Sequence, residues 1–341
     1  MALDPLIRDL RRVQIRASGE LQAAIAKARK RLAAKARDAS PAQVGSEAFR
    51  RAFYGEVGNV YALLDTELTA ILSDATKDTV NLSREAAITR IRKVGGAKAV
   101  AGMALKFDPD RMKRYLEYIQ PENGPSIAAV FTQKMAQADR DAIRGAVLKA
   151  TRQGELEGQT AKERIKGIQA AWDVAAGDLS GNRFVDSAGR EWENARYLQM
   201  LVRTTQARLA REASIDTIVE NGDDLMRVQT AGDNCPACQA WSGVIVSVTG
   251  TNDKYPAYDD ALESGWAHPN CDCVLERVDE TVDADAIEAQ GEAKNADDWE
   301  DLDAVAEYRE RAGLPPPREN ENELPDFSTE AAKSYARERA K

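Results

Sequence analysis

Apolar residues recur every three to four positions through the first half of the chain, the spacing of amphipathic helices. Leu6, Leu10, Val13, Leu21, Ile25 and Leu32 mark one stripe and predict a single long helix over 6–38. Ser40-Pro41 reads as a restart, a cap followed by proline at the first helical position. A second stripe runs through Phe49, Phe53, Val57, Val60, Leu63, Leu64, Leu68 and Leu72. Asn81-Leu82-Ser83 predicts an interruption with Ser83 as a new cap, after which Ile88, Ile91 and Val94 lead to Gly95-Gly96. Asp108-Pro109-Asp110 opens a short helix through Met112, Tyr115, Leu116 and Ile119, and Pro121 to Pro125 breaks it. The next helix spans 126–153, with Ile127, Val130, Met135, Ile143, Val147 and Leu148 expected inward. Thr160 with Glu163 three residues on is a capping box, followed by Ile165, Ile168 and Trp172.

The pattern changes after Leu179. Residues 183–186 and 190–192 predict a small hairpin or an ordered loop, and 194–221 returns to helix, ending at Asn221-Gly222. Alternation over 225–229 predicts a strand. Gly243 to Thr249, β-branched nearly throughout, is the strongest strand in the chain, and 274–278 is a partner for it. Beyond Val278 the periodicity dissolves, except that Trp299, Leu302, Val305 and Tyr308 predict a short docking helix. Leu314-Pro-Pro-Pro317 is a stiff, extended link, and much of this tail is expected to order only against a partner.

Composition agrees with long, solvated, alanine-rich helices: 30% of residues are charged and only 6% aromatic. No run of about eighteen apolar residues exists, so no membrane span is expected. The net charge of −9 is unevenly spread. Residues 279–341 carry 19 acids against 8 bases, whereas residues 1–40 carry 10 bases against 4 acids. Lys27, Arg29, Lys30, Arg31, Lys35 and Arg37 concentrate the basic charge and form a candidate contact face for packaged DNA or an acidic partner.

The chemistry lies in one window. All four cysteines and the single histidine fall between 235 and 273, as Cys235-Pro-Ala-Cys238 and His268-Pro-Asn-Cys271-Asp-Cys273. Two ligand-bearing turns separated by about thirty residues suit a tetrahedral structural zinc site. Cys235, Cys238, His268, Cys271 and Cys273 are five candidates for four positions, and one is spare. The same cysteines would serve a disulfide framework in a secreted domain, but Met1-Ala-Leu-Asp-Pro predicts no export leader, and reduced thiols suit a metal. A redox C-x-x-C leaves the second cluster unexplained, and a nuclease of the HNH type needs a histidine base beyond the metal loop. One zinc ion per chain is therefore expected, in a structural role. About 55 residues around it, 223–278, are too few to rely on their own core. Gly243, Gly250 and Gly265 supply turns to the excursion between the two clusters, which also offers Asp259, Asp260 and Glu263 as bases should the metal be catalytic. No Walker loop, G-x-S-x-G or dinucleotide fingerprint is present.

These motifs resemble a known family. Asp233-Asn-Cys-Pro-Ala-Cys238 with Trp241-Ser-Gly243 and His268-Pro-Asn-Cys-Asp-Cys273 is similar to the core of the phage Mu F-like minor head proteins. Leu201 to Gln206 resembles the helix before that family's cysteines, and Gly158 to Ile165 its opening helix. Thr205 stands where the family usually has an acid, and Asp272 where it commonly has an arginine. The resemblance implies a non-catalytic minor capsid or head-morphogenesis protein, located in the virion at the portal or capsid interior. Its implied partners are the portal protein, the major capsid protein and packaged DNA. A metal-dependent hydrolase, or a toxin-like effector joined to such a segment, is the alternative. The expected fold class is α+β: long helices, a small zinc-stabilised β-containing module in the C-terminal third, and an acidic extended tail. The expected domains are a helical assembly domain over 1–155, a Mu F-like helical and zinc-binding module over 156–278, and the tail over 279–341.

Overall fold

The computed structural model describes residues 5–177, 183–185, 191–230, 236–278, 283–293 and 302–314. The chain forms two compact units, and neither is continuous in sequence. One unit comprises Arg16–Asp74 and Leu116–Gln199, the other Met1–Ile15, Ala75–Tyr115 and Met200–Lys341. Three long helices, α1 (Pro5–Arg37), α3 (Glu47–Ala99) and α7 (Asn194–Glu220), supply residues to both.

The first unit is helical apart from one short hairpin. Its buried positions lie on α1, α3, α5 (Ile127–Leu156) and α6 (Ala161–Gly177). The short helix α2 (Pro41–Gly45) starts as the sequence predicts, with the Ser40 side chain accepting from the Gln43 N–H and Gln43 answering at the Ser40 N–H. α6 packs against α5 and α2. Trp172 is its anchor: it is fully buried, edge-on to Phe53 at 4.8 Å, and its indole N–H donates to the Ala36 carbonyl at 3.0 Å. Ser126 caps α5, and Thr160 with Glu163 caps α6. β1 (Arg183–Val185) and β2 (Glu191–Glu193) form the expected hairpin.

The second unit joins helices to a three-stranded antiparallel sheet in the order β4-β3-β5, with β3 (Leu225–Gln229) central. β4 (Ile245–Ser247) and β5 (Val274–Arg277) flank it. One apolar cluster gathers Met226 and Val228 from β3 with Trp241, Val244, Val246, Trp266 and Leu275. Leu6, Ile7 and Leu10 of α1 pack with Ala210 of α7 and Val274 of β5.

Several expectations are corrected. α3 runs through Asn81-Leu82-Ser83 without a break, because Ser83 is fully buried and its hydroxyl donates back to the Thr79 carbonyl at 2.9 Å. The backbone leaves helical geometry only at Gly96, φ 70°. Leu63, Val130 and Leu148 face outward, while Phe131, Thr132 and Asp139 join the inward face of α5. β4 is shorter than 243–249. Gly243 at φ 82° and Val244 together oppose Val228, whose carbonyl accepts from Gly243 and whose N–H donates to Val244, both at 2.9 Å. That is a glycine bulge, which ends regular pairing. Part of the tail is built into the core. Helix α10 (Ala284–Ala293), unforeseen in the sequence, and α11 (Leu302–Arg311) contribute Ala293, Val305 and Tyr308 to the cluster around Trp241. Gln290 of α10 accepts from the Ile245 N–H at 2.8 Å and donates to the Gly243 carbonyl at 3.2 Å, so it covers the outer edge of β4. Trp299 and Pro315 to Pro317 lie outside the described residues.

Candidate metal centre

Strand β3 delivers the chain to α8 (Pro236–Ala240), the short helix carrying Cys238. The excursion that follows turns at Gly243, Gly250 and Gly265, all at positive φ, passes through α9 (Tyr258–Glu263), and returns to the sheet through the loop 264–273. Ala267 (φ 61°) and Asn270 (φ 67°) adopt left-handed backbone geometry there, which curls the loop. The Cys271 N–H donates to the His268 carbonyl at 3.0 Å, and the Cys273 N–H donates to Cys271 Sγ at 3.3 Å. A backbone donor aimed at a sulfur favours its thiolate.

The result is a cluster of three sulfurs, from Cys238, Cys271 and Cys273, mutually within 4.8 Å. They are 1%, 4% and 0% exposed, so bulk water does not reach them. All three are free thiols, and the Cys238–Cys271 separation of 3.5 Å is far beyond a disulfide bond. It lies close to the edge of about 3.8 Å that four ligands around zinc would span with metal–sulfur bonds of about 2.3 Å. His268 approaches from the Cys238 side, with Nε2 3.4 Å from that sulfur. Its Nδ1 is 2.7 Å from the Pro269 carbonyl, which only accepts, so Nδ1 carries a proton and Nε2 is the nitrogen that faces the sulfurs. Cys235 lies outside the described residues.

Electrostatics bear on whether this set fits a cation. The hydrogen bond from Cys238 holds the Cys271 thiol well below its ordinary range, helped by that from Cys273 and by the charge of Arg211. Cys238 also pulls Cys273 down, but the hydrogen bond with Cys271, burial and the Cys271 charge push it well above. Cys271 and Cys273 thus resist ionising together, and a cation among the sulfurs would relieve that opposition. The donor set is soft and sulfur-rich, as zinc and related ions require. Among the described residues no carboxylate oxygen belongs to the cluster. Asp260 is occupied at the start of α9, accepting from the Ala257 N–H at 2.8 Å.

Three polar ties hold the loop to α7. The Asn270 N–H donates to Thr204 Oγ1 at 3.1 Å, Arg203 pairs with Asp272 at 2.6 Å, and Arg211 Nη1 donates to the Cys273 carbonyl at 3.1 Å. Arg11 of α1 reaches the same Asp272 at 3.2 Å. Asp272, which replaces the arginine common in the resembling family, therefore serves as the acid for Arg203. Arg203 and Thr204 were noted in the sequence as part of a helix motif, but their tie to the metal loop was not. Arg211 was missed; its signal is an arginine on the helix face of Ala207, Ser214 and Ile218, which is otherwise buried. Its guanidinium lies 5.4 Å from the Trp266 ring centre.

Cys238 lies on a short helix that follows a strand in the chain, the setting of redox pairs, yet it is buried and faces Cys271 and His268. The basic stretch is divided. Lys27, Lys30, Arg31, Lys35 and Arg37 are exposed on α1. Lys27 pairs with Glu67 at 3.8 Å, and Arg31 and Lys35 both approach Glu56. Arg29 points the other way. It is 5% exposed and donates to Tyr61 Oη at 3.3 Å and to Asp139 at 3.5 Å, so it cannot belong to a contact face.

No helix among the described residues is long and apolar enough to cross a membrane. A family model for phage minor capsid protein 2 matches residues 131–304, just over half of the chain and all of the cysteine window. No curated protein and no solved structure matches the chain.

Proposed function

This chain belongs to the phage minor capsid protein 2 family, and from that premise we propose that it is a structural component of a tailed-phage head, seated at the portal vertex or inner capsid wall, with one structural zinc ion per chain. Membership in the family supports a virion location and contact with other head components. The observation that carries the structural reading of the metal is the buried donor set: three cysteines no more than 4% exposed, with His268 Nε2 beside Cys238 for the fourth position, leave no place for water, whereas catalytic zinc keeps a position open.

Cys238, Cys271 and Cys273 supply three ligands in this reading, and His268 Nε2 the fourth. Bound zinc contributes folding free energy, by joining α8 to the loop that re-enters the sheet. The chain's own residues set the geometry: Pro269 fixes the imidazole tautomer, and Thr204, Arg203 and Arg211 hold the loop on α7. The metal then belongs to the unit that contains residues 200–278. The helical segment 1–155 carries a basic face of Lys27, Lys30, Arg31, Lys35 and Arg37 suited to a portal surface, a capsid surface or packaged DNA. Cryo-electron microscopy of the assembled particle tests this. Density for the chain is expected at the portal vertex or inner wall, and a chain lacking from purified particles contradicts it.

A further inference from the structure

We propose that Arg211 is the counter-charge of the metal centre, and that it matches a sphere of three thiolates and one imidazole. The inference rests on the reading of the cluster as a metal site.

Arg211 is 4% exposed. Among the described residues it makes no ion pair. The acid next to it on α7, Glu212, is engaged by Arg208 at 2.8 Å. The groups Arg211 does meet are neutral: the Cys273 carbonyl, the Tyr258 hydroxyl and the Trp266 ring. Its Nε–H, buried, has no acceptor. A carbonyl and a ring face ease the desolvation of a guanidinium but do not cancel its charge. Buried cations are paired, and among the described residues the source of negative charge left beside Arg211 is the cysteine cluster. The Arg211 guanidinium donates to the backbone carbonyl of Cys273 itself, which places the positive charge beside a residue that carries one of the sulfurs.

The charge count then selects a ligand set. Three thiolates around a divalent ion leave one negative charge, which one buried arginine balances; Arg11 and Arg203, 38% and 41% exposed, share Asp272 and are screened by water. Four thiolates would leave two. His268, which ligates a metal only as a neutral imidazole, has Nε2 3.4 Å from the Cys238 sulfur and completes the singly charged set.

The experiment uses the purified full-length chain, stripped and reloaded with cobalt(II), then competed for zinc by a chromophoric chelator. Wild type is expected to take up one cobalt per chain with a sulfur-to-metal charge-transfer band of three-thiolate intensity. Arg211→Met, which keeps length and removes charge, is expected to lose zinc affinity by about 10- to 100-fold, the range for groups behind a metal's ligands. Arg211→Lys keeps the charge and is expected to stay within about threefold of wild type. Affinity of Arg211→Met within about twofold of wild type overturns the proposal, as does Arg211→Lys falling as far as Arg211→Met. If Arg211→Met does not fold, Arg211→Lys alone decides: retained metal supports the charge role and lost metal overturns it. A four-thiolate band overturns the ligand set. Wild type that binds no cobalt defeats the underlying metal reading, and is seen before any variant is compared.

Discussion

Replacing Asp139 with asparagine removes one charge, and one of two acceptor oxygens, from the centre of the helical unit. Asp139 is fully buried and Arg29 is 5% exposed. Arg29 reaches one carboxylate oxygen at 3.5 Å, and the Tyr61 hydroxyl donates a short hydrogen bond to the other. Asparagine preserves the shape and leaves the Arg29 charge unbalanced in an apolar interior formed by Phe53, Leu64, Met135 and Ile143. Breaking a buried pair from one side costs about 3–5 kcal/mol. For a unit of this size that corresponds to a fall in Tm of roughly 10 °C or more. The double variant Arg29→Met with Asp139→Leu removes both charges and should recover most of the loss, because the pair's own net contribution is small beside the desolvation of its members. The assay is guanidinium unfolding with hydrogen exchange read on α1, α3 and α5, so that loss is assigned to this unit. A loss below about 1 kcal/mol for Asp139→Asn, or a double variant no more stable than the single, would refute the reasoning. The pair also gives this alanine-rich bundle a fixed register: Arg29, Tyr61 and Asp139 sit on α1, α3 and α5, and only one alignment brings them together.

Other consequences follow from single contacts. The hydrogen bond from Arg84, with burial opposing and Arg111 adding, holds the Glu220 carboxyl below its usual range. A depressed folded value means that this stabilisation is present above the ordinary carboxylate range and is lost as pH falls through it. Acid unfolding of the sheet-containing unit should therefore steepen below about pH 4.3, and Glu220→Gln should flatten it. Changing Lys27, Lys30 and Arg37 to glutamine should leave Tm nearly unchanged, since all three are exposed, while reducing the salt-sensitive part of any association with DNA or head proteins. Equal salt dependence in variant and wild type would remove the basic face from the account. His268→Ala should cost more zinc affinity than Cys235→Ser, and the reverse order would make Cys235 the fourth ligand.

What could be read in the sequence, and what could not, divides along physical lines. The α1 stripe was legible because Leu6, Leu10, Val13, Leu21, Ile25 and Leu32 are all buried on a helix with no competing signal. Caps at Ser40 and Thr160 were legible because their hydrogen bonds are local. Ser83 misled because a buried serine can satisfy itself on the preceding turn, and only its surroundings decide between that and a cap. Helix α10 gave no stripe, since Ala293 and the Gln290 amide are what it buries. The cysteine window announced its residues, but not their company. Arg211 contacts the site across 62 positions of sequence and Arg11 across 261, and neither spacing carries a motif. Arg29 looked like its basic neighbours until Asp139, 110 residues away, was placed beside it.

The most direct test of the metal-bearing structural reading is the metal content of the full-length chain, purified with its thiols reduced and weighed by native mass spectrometry alongside elemental analysis. The account predicts one zinc per chain, no disulfide, and loss of protection in β3, β4 and β5 when a chelator removes the ion, while α5 and α6 stay protected. A chain free of metal, or one whose sheet is equally protected after chelation, would contradict it.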